Sequence, residues 1–189
     1  MTQPVIDVWA SILRAVPTAK LLLKDKQFAN SDRVLETMAR FGDVSSRLLF
    51  EGVTGHIQHL EAYGRVDVAL DPWPAGGGVT TLAALWMGVP TITMMGDRPS
   101  CRASASIMTV AGLAEWVAHT QGYYIALAMT ALEDLQEQRL IMRARMKSTA
   151  LADTVQYIQA VEYAYLTMWA RRRSSTLPPP SSARPAAGS

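Results

Sequence analysis

The residues best suited to chemistry are Gly76-Gly77-Gly78-Val79-Thr80-Thr81. They follow an apolar strand-like segment and open a helix-like one. Three glycines let the backbone approach a ligand closely and adopt conformations with positive φ. The first amides of a helix have no intrahelical acceptor, and the helix dipole favours an anion beside them. Two threonine hydroxyls add donors at the same point. This chemistry suits a phosphate or diphosphate. The alternative is a ligand-free turn in which Thr80 caps the helix. The loop is not a Walker A motif, because no Gly-Lys-Ser/Thr follows, and it lacks the G-x-G-x-x-G spacing.

Other reactive residues are sparse. The three histidines are His56, His59 and His119. The first pair, at i and i+3, can share one helix face, but zinc needs further ligands and a closed geometry. We therefore read no metal site and take a solvated or ligand-facing histidine pair as the reading. Cys101 is the one cysteine, so no intrachain disulfide can form, which fits a reducing compartment.

These residues need elements to hold them. Periodic apolar residues place helices at 5–16, 31–41 and 56–63 and strands at 19–24, 47–50 and 66–70. After the loop at 71–79, a helix at 80–87 precedes a strand at 91–94, with Gly88-Val89-Pro90 as the turn between them. A helix follows at 102–111. Residues 113–119 read either as a short strand or as a helix and turn. Helices at 122–135, 137–150 and 154–170 close the chain. Short apolar strands alternating with helices indicate α/β architecture: a Rossmann-like parallel sheet with helices on both faces. Such sheets bind ligands beyond the carboxyl ends of their strands.

With 189 residues, 49% of them hydrophobic and 18% charged, the chain can build a core of about one domain. Its net charge of +2 makes no case for nucleic-acid binding. Arg171, Arg172, Arg173 and Arg184 lie in the last stretch, which carries no acid, so residues 1–170 hold 14 bases against 16 acids. The basic pI belongs to residues 171–189, an Arg/Pro/Ser-rich segment with the composition of a disordered tail. Residues 76–96 are uncharged and about as long as a membrane span, but Gly88-Val89-Pro90 breaks them in the middle. No basic segment with an apolar run opens the chain as a signal peptide would. The expectation is a soluble, cytoplasmic protein with no membrane partner.

Several ordered motifs resemble the C-terminal catalytic lobe of the O-GlcNAc transferase family, glycosyltransferase family 41. They are Val8-Trp9-Ala10-x-Ile12-Leu13-x-x-Val16-Pro17; His59-Leu60-x-x-Tyr63-Gly64-x-Val66-Asp67-Val68-Ala69-Leu70-Asp71; Pro72-Trp73-Pro74 with the glycine-threonine loop; and Leu85-Trp86-Met87-Gly88-Val89-Pro90. Arg102-Ala103-Ser104-Ala105-Ser106 and Tyr163-x-x-Leu166-x-x-Trp169 are similar to later landmarks. The similarity runs from about residue 5 to 170.

The resemblance implies the C-terminal lobe of a GT-B glycosyltransferase at residues 1–170. It implies inverting, metal-independent transfer of N-acetylglucosamine from UDP-GlcNAc to protein Ser or Thr, with no cofactor. Gly78, Val79, Thr80 and Thr81 would face the diphosphate. His59 matches a family histidine near the uracil, and Thr54 and His56 lie on the same base-binding segment. Ala83 stands where the family has an acid that bonds the ribose hydroxyls. Loss of one charge-assisted hydrogen bond costs ~1.5–3 kcal/mol, roughly 10- to 150-fold in affinity. A family lysine that contacts the phosphates, the N-terminal lobe and any tetratricopeptide repeats would fall ahead of Met1. No residue stands out as a general base. The expectation is a UDP-sugar-binding half that is inactive without an N-terminal lobe, supplied by a separate lobe or repeat protein. The alternative is a non-catalytic truncated relic or nucleotide-binding module.

Overall fold

The computed structural model describes residues 1–131 and 135–175, which divide into two units, Met1–Ala152 and Asp153–Ser189. The first unit opens with α1 (Gln3–Ala15), whose Val5, Ile6, Val8, Trp9, Ala10, Ile12 and Leu13 are buried. Pro4 sits in its first turn, where no amide donor is required. β1 (Leu21–Lys24), α2 (Ser31–Phe41), β2 (Leu48–Glu51) and α3 (His56–Ala62) follow. Asn30 caps α2 by accepting from the Asp32 amide at 2.8 Å.

β3 (Ala69–Leu70), α4 (Val79–Trp86), β4 (Thr91–Met94), α5 (Ala103–Val110) and β5 (Val117–Ala118) continue the alternation. The segment 113–119, open between two readings in the sequence, contains a 3-10 turn at Ala114–Trp116 and then β5. α6 (Gln121–Thr130) and α7 (Leu135–Lys147) complete the unit. In the second unit, α8 (Thr154–Ser175) runs through Arg171–Arg173, residues expected in the tail. The rest of that expected tail, from residue 176, lies outside the described residues.

All strand pairs are parallel. α1 packs against α2 and α6, while α4 and α5 pack against each other and against β4. The single sheet expected from the sequence is, however, two ladders: β1 pairs with β2, and β4 lies between β3 and β5. The register sets Leu21 beside Leu48 and Ala69 beside Thr91. β1 and β3 share no ladder, and Leu22, Val68 and Leu70 are only half-buried in consequence.

Two apolar clusters hold the unit together. One gathers α1 with Phe41, Ile92, Ala118, Tyr124 and Ala128. The other packs Leu85, Met108, Leu113 and Val117 against Met142 and Met146 of α7. α7 also braces the elements beside the loop. Arg139 donates to the carbonyls of Tyr63 and Val66, and Arg143 donates to that of Trp86. Gly88 turns the chain into β4 with φ +79°, and a Cβ there would meet the Arg139 carbonyl at 3.0 Å, so both backbone and space demand glycine.

Candidate functional site

The loop between β3 and α4 is built on Asp71, which is 7% exposed. Its carboxylate accepts the Gly77 amide at 2.7 Å and the Thr93 hydroxyl at 2.8 Å. Its carbonyl accepts the Tyr124 hydroxyl at 3.0 Å. Tyr124 is fully buried, which raises its pKa, and it also accepts from the Trp9 indole at 3.4 Å. The loop is thus tied to β4, α6 and α1 through one residue.

Of the loop's three glycines, Gly76 and Gly77 serve close approach rather than a positive-φ turn. None of the three has positive φ, contrary to one expectation from their type. A Cβ at Gly76 would lie 2.6 Å from Asp71 Oδ2. At Gly77 it would lie 2.6 Å from Thr80 Oγ1 and 2.7 Å from Thr81 Oγ1. At Gly78 it would meet open space.

No side chain caps α4. Its first backbone bond runs from the Leu82 amide to the Gly78 carbonyl, at 3.1 Å. The amides of Val79, Thr80 and Thr81 therefore have no helical acceptor. Thr80 does not cap the helix, so the ligand-free reading loses its proposed hydrogen bond. The two threonines differ. Thr80 is exposed, whereas Thr81 is buried with its hydroxyl 3.1 Å from Ser104 Oγ. Ser104 in turn donates to the Gly77 carbonyl at 2.8 Å. Thr80 offers a hydroxyl to the outside; Thr81 spends its own on the loop.

Tyr63, following α3, donates to the Thr80 carbonyl at 3.2 Å. Burial raises its pKa. The His59 ring meets the Tyr63 ring edge-on at 5.5 Å. His59, Tyr63, Thr80 and Thr81 border one cavity of about 930 Å³. Thr54 instead borders a second pocket, of about 470 Å³, with Gln58, Ala62 and Arg65. His56 is exposed at the start of α3. The structure thus brings Thr80, Thr81 and His59 around one opening and puts Thr54 beside another, with Gly78 and Val79 lining neither.

Near the second pocket Glu51 accepts from Lys24 at 3.0 Å and from Arg65 at 2.6 Å. The Arg65 hydrogen bond, then that of Lys24, lowers the Glu51 pKa. Ala83 is half-buried in α4, whose first turn holds no acid. Among the described residues no group of three or more His, Cys, Asp or Glu is placed to hold a metal ion. Among the described residues no helix is long and apolar enough to cross a membrane.

Sequence reasoning missed the bracing set of Asp71, Thr93, Ser104 and Tyr63. The one local signal is an acid at the end of an apolar strand, just before the glycine loop.

The description "Glycosyl transferase family 41" belongs to the family whose profile matches residues 1–161. The chain is 34% identical over 178 residues to the probable UDP-N-acetylglucosamine–peptide N-acetylglucosaminyltransferase SPINDLY of Oryza sativa subsp. japonica, which covers 90% of this chain and 19% of that protein. It is 31% identical to the protein of the same description from Arabidopsis thaliana, over 94% of this chain and 20% of that one. The chain therefore spans about a fifth of the length of these relatives. Its fold matches a variant of Thermobaculum terrenum O-GlcNAc transferase with a TM-score of 0.85 and 32% identity, over 92% of this chain and 34% of that one. With its glycine-threonine loop, its parallel α/β architecture and these matches, the chain belongs to glycosyl transferase family 41.

Proposed function

We propose that this chain binds the UDP part of UDP-GlcNAc and forms the donor-binding half of a protein O-GlcNAc transferase-like enzyme. The observation that carries the reading is the uncapped N-terminus of α4 behind a loop braced by Asp71. Val79, Thr80 and Thr81 amides and the Thr80 hydroxyl would receive the diphosphate, with Gly78 leaving room for it. His59 would lie toward the base, with Thr54 and His56 on the same segment.

Inverting, metal-independent transfer to protein Ser or Thr requires a stabilised leaving diphosphate and an acceptor held in line. The loop amides supply part of the first requirement. The second belongs to an N-terminal lobe or a tetratricopeptide-repeat partner, and the chain alone does not turn over. Its single cysteine accords with a cytoplasmic setting.

Calorimetry with UDP tests the site. Wild type should bind weakly, and Ala83→Glu should bind roughly 10- to 150-fold more tightly, because a carboxylate returns a charge-assisted bond to the ribose. No heat from either protein would refute the assignment.

Ala83 also favours a second reading, a non-catalytic nucleotide-binding module. Assay of UDP-GlcNAc transfer with a separately supplied N-terminal lobe separates the two, since transfer to a protein acceptor would exclude the module and its absence would favour it.

A further inference from the structure

One face of α7 grips both segments that carry the site. Arg139 and Arg143 stand four positions apart on the helix, so they share that face. Arg139 donates from Nη2 to the Tyr63 carbonyl at 3.2 Å and from Nη1 to the Val66 carbonyl at 2.5 Å. These two carbonyls bracket the 3-10 turn Tyr63–Arg65 that follows α3. Arg143 donates to the carbonyl of Trp86, the last residue of α4, at 2.8 Å. Beside them Met142 is fully buried in the cluster that contains Leu85 of α4.

Tyr63 is held at both ends. Its carbonyl accepts from Arg139, and its hydroxyl donates to the Thr80 carbonyl in the first turn of α4. α7, the turn after α3 and α4 thus close a triangle of hydrogen bonds. The Thr80 carbonyl and the Thr81 amide belong to one peptide group, which is trans. In a trans peptide the C=O and N–H point in opposite directions. A donor on the carbonyl therefore fixes the direction of the Thr81 N–H and polarises it. That N–H is one of the amides at the start of α4 without a helical acceptor. The same Tyr63 ring meets the His59 ring edge-on. A guanidinium suits the anchoring position, because its rigid fork serves two carbonyls at once and stays charged at any working pH.

We propose that Arg139 is a positioning residue for nucleotide binding. Through Tyr63 it sets the direction of the Thr81 amide and the place of His59. Arg139 does not line the cavity bordered by His59 and Thr80, so it acts without touching the nucleotide. This role rests on the UDP reading.

A double-mutant cycle on the full chain tests it, with UDP as the probe in calorimetry. The temperature is one at which circular dichroism shows every variant folded. Arg139→Met keeps a straight side chain without donors and should weaken UDP binding roughly two- to tenfold, as Tyr63→Phe should. The double variant should bind no worse than the weaker single one, because both changes break one route; independent losses would multiply to roughly 4- to 100-fold. Arg139→Lys keeps the charge without the fork. It should lose less than Arg139→Met, and it carries the same cycle if the methionine variant does not fold. Arg47→Met is the matched control. Arg47 also donates to backbone carbonyls, those of Leu13 and Val16, at the end of α1, and its loss should leave UDP affinity within about twofold. Wild-type binding with equal binding by Arg139→Met would overturn the positioning role and leave the UDP reading standing. Multiplying losses in the double variant would overturn the route through Tyr63. An equal loss in Arg47→Met would reduce the effect to general loosening of the fold and overturn the role as well. No UDP binding by the wild type would overturn both readings together.

Discussion

Replacing Asp71 gives the most direct test of how the loop is held. In Asp71→Ala the Gly77 amide and the Thr93 hydroxyl lose their acceptor. Thr93 is 1% exposed and Gly77 is half-buried, so water cannot readily replace it. Each buried donor left without a partner costs about 1–3 kcal/mol, which sums to about 2–6 kcal/mol. Asp71→Asn is the informative contrast. Its side-chain oxygen can still accept from Gly77, and its amide can donate to Thr93, because a threonine hydroxyl also accepts. Only charge assistance is lost, about 1 kcal/mol. Urea denaturation of the three proteins measures the difference, provided that the slope with denaturant is unchanged. UDP calorimetry on the same proteins should show weaker binding by the Ala variant than by the Asn variant. Equal stability of the Ala and Asn variants would refute the bracing role of the carboxylate.

The glycines should respond unequally: Gly77→Ala should lose about 1–3 kcal/mol by overpacking against Thr80 and Thr81, while Gly78→Ala, with open space around its new methyl, should stay within about 0.5 kcal/mol in the same denaturation assay. Tyr63→Phe removes the donor to the Thr80 carbonyl and should weaken UDP binding by roughly two- to tenfold by calorimetry, with secondary structure by circular dichroism unchanged. Glu51 has a lowered pKa in the folded chain, so its contribution to stability is complete above the unfolded value near 4.3 and disappears as pH falls through the lower folded value. Glu51→Gln should therefore be less stable at pH 7, and its acid unfolding curve should be shallower below about pH 4.3.

Much of the architecture was legible because it depends on local pattern. The apolar period of residues 5–13 defines the buried face of α1, and Gly88-Val89-Pro90 marks the turn into β4. Residues 113–119 stayed ambiguous because β5 spans two residues behind a 3-10 turn, too few for a period to show. The loop's glycines pointed to close approach, but which atoms they approach depends on Asp71, Thr81 and Ser104, and Ser104 lies on a different helix.

The sequence by itself determined the alternation of strands and helices and the glycine-threonine opening of α4, because backbone preference, helix termini and side-chain chemistry are properties of neighbouring residues. Tertiary structure alone decided that Thr80 faces outward while Thr81 bonds Ser104, that Asp71 holds both Gly77 and Thr93, the latter 22 positions away, and that β1 and β3 stand apart. Those outcomes follow from how distant segments share space and hydrogen bonds, and no local pattern carries that information.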